Sequence, residues 1–456
     1  MRVVLADVRS DDGFVTKDRV AGGYGNRLRP FSSTTRWMLR FKRRWADYPS
    51  VQLAYLAAIC RRAGHDVQYT ERNPVDGDVA LILTSLVDYR NETAFGDALR
   101  ARGVRVGYVG LAASKLPHLF ADHADFIIQG EPEEAVARMA AGQRLDGLCR
   151  SAEISDLDTL PFPRWDLLTG PSRKPKTGGF PLLASRGCSE FCTYCSHIIL
   201  GGHRTRSVDN IADELEQLTD RFRHPYVIFR DPLFTDNRER CLALCDEIEA
   251  RGLRLTFEIE TRADRLDVEL VRRLHRVGMR QVAFGVESVS AGVLKKVGRR
   301  PTPHAHERDL VNECRRLGIM SVGFFMLGFL TDDWESVAAT IDYACDLAPT
   351  VASFKIVTPY PATPMWKQME PLLTETDFEK FDGFTPTFRH PTLSHDELRF
   401  LLASAYSRFY FRPSYVANLL SVENPRMRQW VQRLDQWAMS RHVLQETAAL
   451  RPLSSC

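Results

Sequence analysis

The sequence predicts an α/β chain: a parallel sheet with helices on both faces, then six further strand–helix units forming a partial barrel, then a mostly helical C-terminal region. Three observations predict it. Strand-length apolar runs alternate with helical stretches through the first 150 residues, and the alternation resumes near Phe180. Between the two runs lies a loop carrying Cys188, Cys192 and Cys195, spaced C-x3-C-x2-C. A chain of 456 residues has room for two or three domains. The boundaries read as 1–150, a linker over 151–179, 180–365 and 366–456.

The composition, 44% hydrophobic and 26% charged, is that of a globular chain. No apolar run reaches the roughly 18 residues a membrane span needs. The opening MRVVLADVRSDDG is no signal peptide, because its apolar run stops at Asp7. A net charge of +3 gives no reason to expect nucleic acid. Ten cysteines in so long a chain do not make a disulfide framework, and an exposed iron–sulfur site needs a reducing compartment, so the cytoplasm is expected. Basic residues gather between Lys17 and Arg44; the simpler reading is a solvated segment or domain contact, the other an anion or partner surface.

In chain order, Met1 to Asp7 reads as a buried strand and Pro49 to Ala63 as a helix ended by Gly64. Strands follow at Asp66–Thr70, Val79–Thr84, Val104–Val109 and Phe126–Gln129, with helices near Asn91–Arg102 and Lys115–Ala121. Gly130-Glu131-Pro132-Glu133 opens another helix. Gly22-Gly23-Tyr24-Gly25 is a weak dinucleotide-loop signal, since it is no G-x-G-x-x-G after a strand. From Phe180, strands are expected at Phe180–Arg186, Tyr226–Asp231, Leu255–Arg262, Gln281–Ser288, Met320–Gly328 and Val351–Tyr360. Ile211–Phe222, with a cap near Ser207, and Val268–Val277 are the clearest intervening helices. Active groups of parallel barrels collect at the C-terminal strand ends. Beyond Thr374, Ser394 caps a helix whose aromatic stripe suits packing, Phe384–His390 is expected to close the barrel, and Cys456 is incidental.

Three thiolates from one loop can each hold one iron of a four-iron cluster and leave the fourth iron for a small molecule. Zinc is the rival, but structural zinc sites bring two ligand pairs from separated loops, and a disulfide with a spare thiol does not suit this chain. The spacing, with Tyr194 before the third cysteine, resembles the signature of the radical S-adenosylmethionine (radical SAM) enzymes. That resemblance implies a [4Fe-4S] cluster on Cys188, Cys192 and Cys195, SAM on the open iron, and an open (β/α)6 barrel over roughly residues 180–365. The first 150 residues resemble the Rossmann-like cobalamin-binding domain that precedes many such barrels. The cobalt-ligating D-x-H-x-x-G is absent, as Asp7-Val8-Arg9 holds no histidine.

Along the third strand of the barrel, Phe257 and Ile259 face one way while Glu258, Glu260 and Arg262 share the other face. Lumen charges are costly unless they meet ligands or each other, so a ligand role and an internal Glu–Arg pair both stand open. Lys355 faces the lumen likewise, as a substrate contact or an internal salt bridge. The resemblance assigns Asp231 to the methionine end of SAM, Arg262 to its carboxylate, and Glu287 and Ser288 of Gly285-Val286-Glu287-Ser288 to its ribose and carboxylate. It places Gly323 to Gly328 beside the adenine.

The whole resembles most the radical diol-dehydratases of aminoglycoside antibiotic pathways, of the kind acting on paromamine in apramycin biosynthesis. This implies abstraction of a sugar hydrogen by a 5′-deoxyadenosyl radical and loss of the neighbouring hydroxyl as water, giving a deoxygenated oxo product. Cobalamin is expected to be absent. The partners implied are an aminosugar met by Glu258 and Glu260, an electron donor such as flavodoxin or ferredoxin, and an NAD(P)-dependent dehydrogenase. The alternative is a cobalamin-dependent radical SAM methyltransferase in natural-product biosynthesis. A non-catalytic iron–sulfur scaffold would leave the charged strand ends unexplained.

Overall fold

The structure is a computed structural model, and it describes residues 1–10, 14–17, 23–28, 48–168, 179–413 and 415. The first sheet is built from β1 (Arg2–Ala6), β4 (Asp66–Thr70), β5 (Val79–Leu83), β6 (Arg105–Val109), β7 (Phe126–Gln129) and β8 (Gly147–Arg150), with β2 (Phe14–Thr16) and β3 (Asn26–Leu28) forming a separate antiparallel pair. The order β4-β1-β5-β6-β7-β8 is parallel throughout. Alternation decides the layers: Val3, Leu5, Val79 and Leu81 pack against the helix Val51–Arg62, while Val4, Ala6, Ala80 and Ile82 pack with Phe95 and Leu99 of the helix Tyr89–Arg100. Ser50 caps Val51–Arg62 by accepting from the Leu53 N–H at 3.2 Å.

The second sheet holds β9 (Gly179–Leu182), β12 (Tyr226–Phe229), β13 (Thr256–Arg262), β14 (Met279–Glu287), β15 (Met320–Leu327) and β16 (Val351–Ile356), in the order β16-β15-β14-β13-β12-β9. Every pairing is parallel. The short pair β10 (Ser185–Arg186) and β11 (Arg204–Thr205) frames the cysteine loop. Phe257 and Ile259 point outward into the helical shell, which turns Glu258 and Glu260 into the lumen as the alternation requires. Ala283, Met320, Val322 and Val351 form an apolar wall inside. The helix His395–Tyr410, with a Ser394–Glu397 capping box, covers β16 outside; its Tyr406 hydroxyl donates to the Phe354 carbonyl at 3.0 Å.

Three expectations shift. The helix near Lys115–Ala121 is instead Leu111–Lys115 followed by two short 3-10 turns, because Pro117 lacks the N–H that would continue it. Phe384–His390 runs beside β16 and the loop after β15: Gly383 accepts from the Ile356 N–H at 2.8 Å, and His390 Nε2 lies 2.8 Å from the Phe329 carbonyl. It thus lines the side of the barrel next to β16. Most of the basic stretch, residues 29–44, lies outside the described residues, as do Gly22 and Cys456. The described Lys17 and Arg27 do not hold their charges in water, since they are 4% and 9% exposed.

Candidate active site

The cysteine loop is fixed from several sides. The Thr193 N–H donates to the Val297 carbonyl at 2.9 Å, and the Thr193 carbonyl accepts from the Met365 N–H at 3.0 Å. Ser189 Oγ donates to Asp236 at 2.6 Å. Glu190 accepts from Arg262 at 3.0 Å and from Arg265 at 2.6 Å. Gly298, at φ +73°, lies so close that a Cβ there would stand 2.3 Å from the Phe191 carbonyl oxygen. All three thiols are free. Burial pushes the Cys195 thiol up to about 12, and Cys192 and Cys188 raise it further. Burial also raises Cys188, again with Cys192 adding to the effect. Neighbouring thiols thus raise the values of Cys188 and Cys195, and a bound iron's charge would reverse this shift. Among the described residues, no three His, Cys, Asp or Glu side chains gather as ligands of one ion. In a four-iron cluster each cysteine holds a different iron, and the thiols of this loop fit that division. His197, just after Cys195, is held neutral by burial, which lowers it to about 4.

Sequence reasoning missed Arg299. It is 9% exposed and joins the loop to the end of β14. Its Nη1 lies 3.4 Å from the Tyr194 hydroxyl and 3.6 Å from Glu287 Oε1, its Nη2 donates to the Gly285 carbonyl, and its guanidinium is within hydrogen-bonding reach of the Cys192 sulfur. Burial raises the Glu287 carboxyl, with Arg299 opposing the shift. Glu287 sits at φ +66°, a left-handed conformation uncommon outside glycine, and such strain clusters at functional sites. Tyr194 meets Phe329 edge-on at 5.8 Å. Ser288 follows at 3% exposure and accepts from the Ser290 N–H at 3.2 Å.

Asp231, just past β12, is fully buried; it accepts from the Ala184 N–H at 3.1 Å and from the Ser185 hydroxyl. It ties the second strand to the base of the cysteine loop. Arg262 forks onto Asp264 at 2.8 and 3.0 Å besides reaching Glu190. Glu258 lies deep, 1% exposed, accepting from the Tyr226 hydroxyl at 2.6 Å, while Glu260 is partly exposed one layer higher. Lys355 stands beside Met326 near the mouth; its Nζ donates to the Asp382 carbonyl at 3.1 Å and lies 3.6 Å above the Phe384 ring.

The mouth of this barrel meets the C-terminal edge of the first sheet. On one side Tyr24 stacks on Tyr360 at 5.5 Å and donates to the Pro361 carbonyl at 2.8 Å, and Arg27 pairs with Glu379 at 3.2 Å. On the other, Arg186 reaches Glu133 at 2.7 Å and Glu131 at 3.2 Å, and Arg204 reaches Glu131 at 2.5 Å. In open parallel sheets, ligands bind outside the C-terminal strand ends where the strand order reverses; here that is between β1 and β5. The chain fills this crevice itself. The Lys17 ammonium donates to the Leu83 carbonyl at 3.0 Å and pairs with Glu92 at 2.9 Å and Asp7 at 3.5 Å. Gly25, at φ +88°, presses so near that a Cβ would meet Ser85 and Thr16 at 3.2 Å. Burial raises Glu92 to about 7, with Lys17 opposing the shift.

Comparisons with known proteins agree with this architecture. The family model described as "Radical SAM superfamily" matches residues 182–344. An uncharacterized methyltransferase of Pyrococcus horikoshii is 29% identical over 314 residues, covering 63% of this chain and 68% of that protein. The cobalamin-dependent S-adenosylmethionine radical enzyme OxsB, solved with aqua-cobalamin, superposes with a TM-score of 0.68 at 15% identity, covering 97% of this chain and 72% of that one. The radical S-adenosylmethionine methyltransferase TsrM of Kitasatospora setae, solved with cobalamin and a [4Fe-4S] cluster, gives 0.66 at 14% identity, covering 98% and 99%. These likenesses do not support the expected absence of cobalamin, nor the identity of a diol-dehydratase; they favour the methyltransferase alternative. At the crevice itself, Lys17 and the Gly25 backbone lie against the strand ends. The three-cysteine loop, the parallel barrel over it and the family match over residues 182–344 identify a radical SAM domain in this chain, in a fold shared with cobalamin-dependent radical SAM enzymes.

Proposed function

We propose that the protein is a radical SAM methyltransferase acting on a small polar molecule in the barrel lumen. The observation that carries this reading is the facing of the two sheets, which puts the first sheet's ligand edge over the barrel mouth. The methyltransferase names of the Pyrococcus horikoshii relative and of TsrM support it. In this reading Cys188, Cys192 and Cys195 would hold three irons of a [4Fe-4S] cluster, which when bound would supply one electron for the cleavage of SAM. Glu287 and Ser288 border SAM, while Tyr194, Asp231 and Arg262 spend their contacts on setting the loop. Glu258, Glu260 and Lys355 orient the substrate from the lumen wall. A substrate cation suits the two glutamates.

A second reading is favoured by the filled crevice. Without cobalamin, the 5′-deoxyadenosyl radical would take hydrogen from an aminosugar diol, water would leave, and a second electron from the external donor with a proton would convert the resulting radical to a deoxygenated oxo product. An NAD(P)-dependent dehydrogenase could then reduce that product.

Anaerobic reconstitution with iron, sulfide and cobalamin, followed by turnover with SAM, reductant and candidate substrates, decides between them. The methyltransferase reading expects bound corrin, S-adenosylhomocysteine and a methylated product. Corrin that washes away, with 5′-deoxyadenosine as the product of SAM, overturns it for the dehydratase reading. Substrate assays should include paromamine-like aminoglycosides.

A further inference from the structure

We propose that Gln281, at the floor of the barrel lumen, is a specificity-determining residue: its side-chain oxygen accepts a hydrogen bond from a hydroxyl or ammonium group at the far end of an elongated substrate. This rests on the reading of the lumen as the substrate site and deepens it, since it names the class of molecule held there.

Alternation sets the direction of the side chain. Val282, Phe284 and Val286 belong to the core outside the sheet, while Ala283 belongs to the apolar wall inside it. Gln281 therefore shares the inward face of β14 with Ala283. It is 4% exposed, and its Oε1 is buried with no hydrogen-bond partner among the described residues. Buried polar atoms are nearly always paired, so an orphaned one asks for a donor from outside the fold. The fold itself gains nothing from it, because a methionine would fill similar space without a desolvated amide.

The neighbours give the chemistry around that donor. In the sheet register Gln281 lies between Glu258 of β13 and Met320 of β15. Glu258 is 1% exposed and accepts from the Tyr226 hydroxyl. An amide and a carboxylate thus stand on adjacent strands, roughly 5 Å apart. On the other flank Met320 continues into the wall of Ala283, Val322 and Val351. The floor is polar on one side and apolar on the other, which suits a donor group carried on a hydrocarbon chain or ring. The Glu258 carboxylate favours an ammonium there.

Position sets the length. Glu287, which borders SAM in this reading, closes the same strand, about 20 Å further along it. A molecule that reacts near Glu287 and reaches Gln281 is elongated, with its donor remote from the reacting carbon. Such a contact discriminates strongly, because an analogue without the donor leaves buried acceptors unpaired.

The test compares the reconstituted holoenzyme with its Gln281→Met variant, using hexane-1,6-diol, 6-aminohexan-1-ol and 1,6-dimethoxyhexane as probes. The three share a six-carbon chain and differ in the donors at its ends. Without a probe, Gln281→Met should melt about 2 °C above wild type, because the orphaned amide is gone. The diol or the amino alcohol should raise the wild-type melting temperature, and its apparent affinity should fall at least ten-fold in Gln281→Met. The larger shift of the two identifies the hydroxyl or the ammonium as the donor. The dimethoxy probe, which has no donor, should raise neither protein. A Gln281→Met protein that melts below wild type, or fails to fold, shows an amide already paired within the fold and overturns the proposal. So do probes that stabilise both proteins equally, act without regard to their donors, or leave wild type unmoved. None of these readings needs turnover. Wild-type enzyme that cleaves no SAM after reduction sinks the radical SAM reading instead, and the melting comparison still judges Gln281.

Discussion

Replacing Arg299 by methionine would leave the Glu287 carboxylate buried without its cation and free the Tyr194 hydroxyl and the Cys192 sulfur of a donor. Removing one partner of a buried pair costs about 3–5 kcal/mol. The expected outcome is a lower iron content after reconstitution and at least a ten-fold slower cleavage of SAM, with Arg299→Lys between the variant and wild type; iron assays and 5′-deoxyadenosine rates check it. Glu258 predicts the opposite pattern. Glu258→Gln keeps an acceptor for Tyr226 but removes the deep lumen charge. Binding of a cationic substrate should weaken about ten-fold while substrate-free SAM cleavage persists, and a KM measured beside the uncoupled rate separates the two. The three cysteines and the alternating face of Glu258, Glu260 and Arg262 were legible because each lies within one short stretch. Arg299 was not, because it meets Tyr194 from 105 residues away, and no local periodicity records such a pairing.

Strands carried their own boundaries where apolar residues alternate between two packed faces: β4 and β7 lie where the pattern puts them. The pair β2–β3 escaped notice, since three-residue strands leave too short a pattern, and β8 is a largely exposed edge strand without an apolar run. Helices behave similarly, and one of them makes a pH prediction. Glu307 on the helix His304–Arg316 is 3% exposed and accepts from the Tyr343 hydroxyl at 2.6 Å. Burial raises its carboxyl from 4.5 to about 7, with the Tyr343 bond opposing the shift. A raised folded-state value means this group's contribution is fully present below pH 4.5 and is lost as pH rises through about 7. The loss is on the order of 3 kcal/mol. Glu307→Gln does not titrate, so its melting temperature relative to wild type should climb between those pH values; a flat difference would show that Glu307 titrates normally.

At the scale of the molecule, a resemblance at the N-terminus could suggest a ligand edge, but not that Lys17 and the Gly25 backbone occupy it or that Tyr24 bridges to Tyr360; those contacts exist only once both sheets are assembled. The assembly also predicts its own acid sensitivity. Glu131 joins Arg204 and Arg186 across the contact, and although burial works against its charge, the two arginines hold its carboxyl below the usual range. A lowered folded-state value contributes stability above the ordinary glutamate range that is lost as pH falls through it. The contact should therefore loosen in acid before either sheet unfolds. Glu131→Gln should loosen it already at neutral pH, because the carboxylates then left to Arg186 and Arg204 among the described residues are Glu133 and the more exposed Glu153. Hydrogen exchange of the β7–helix turn around Gly130 and of β10–β11 reads this directly. Faster exchange confined to those segments is the expected outcome. Exchange that rises throughout the first sheet would mean that Glu131 stabilises that domain itself, and unchanged exchange would mean that the Tyr24 side alone holds the two sheets together.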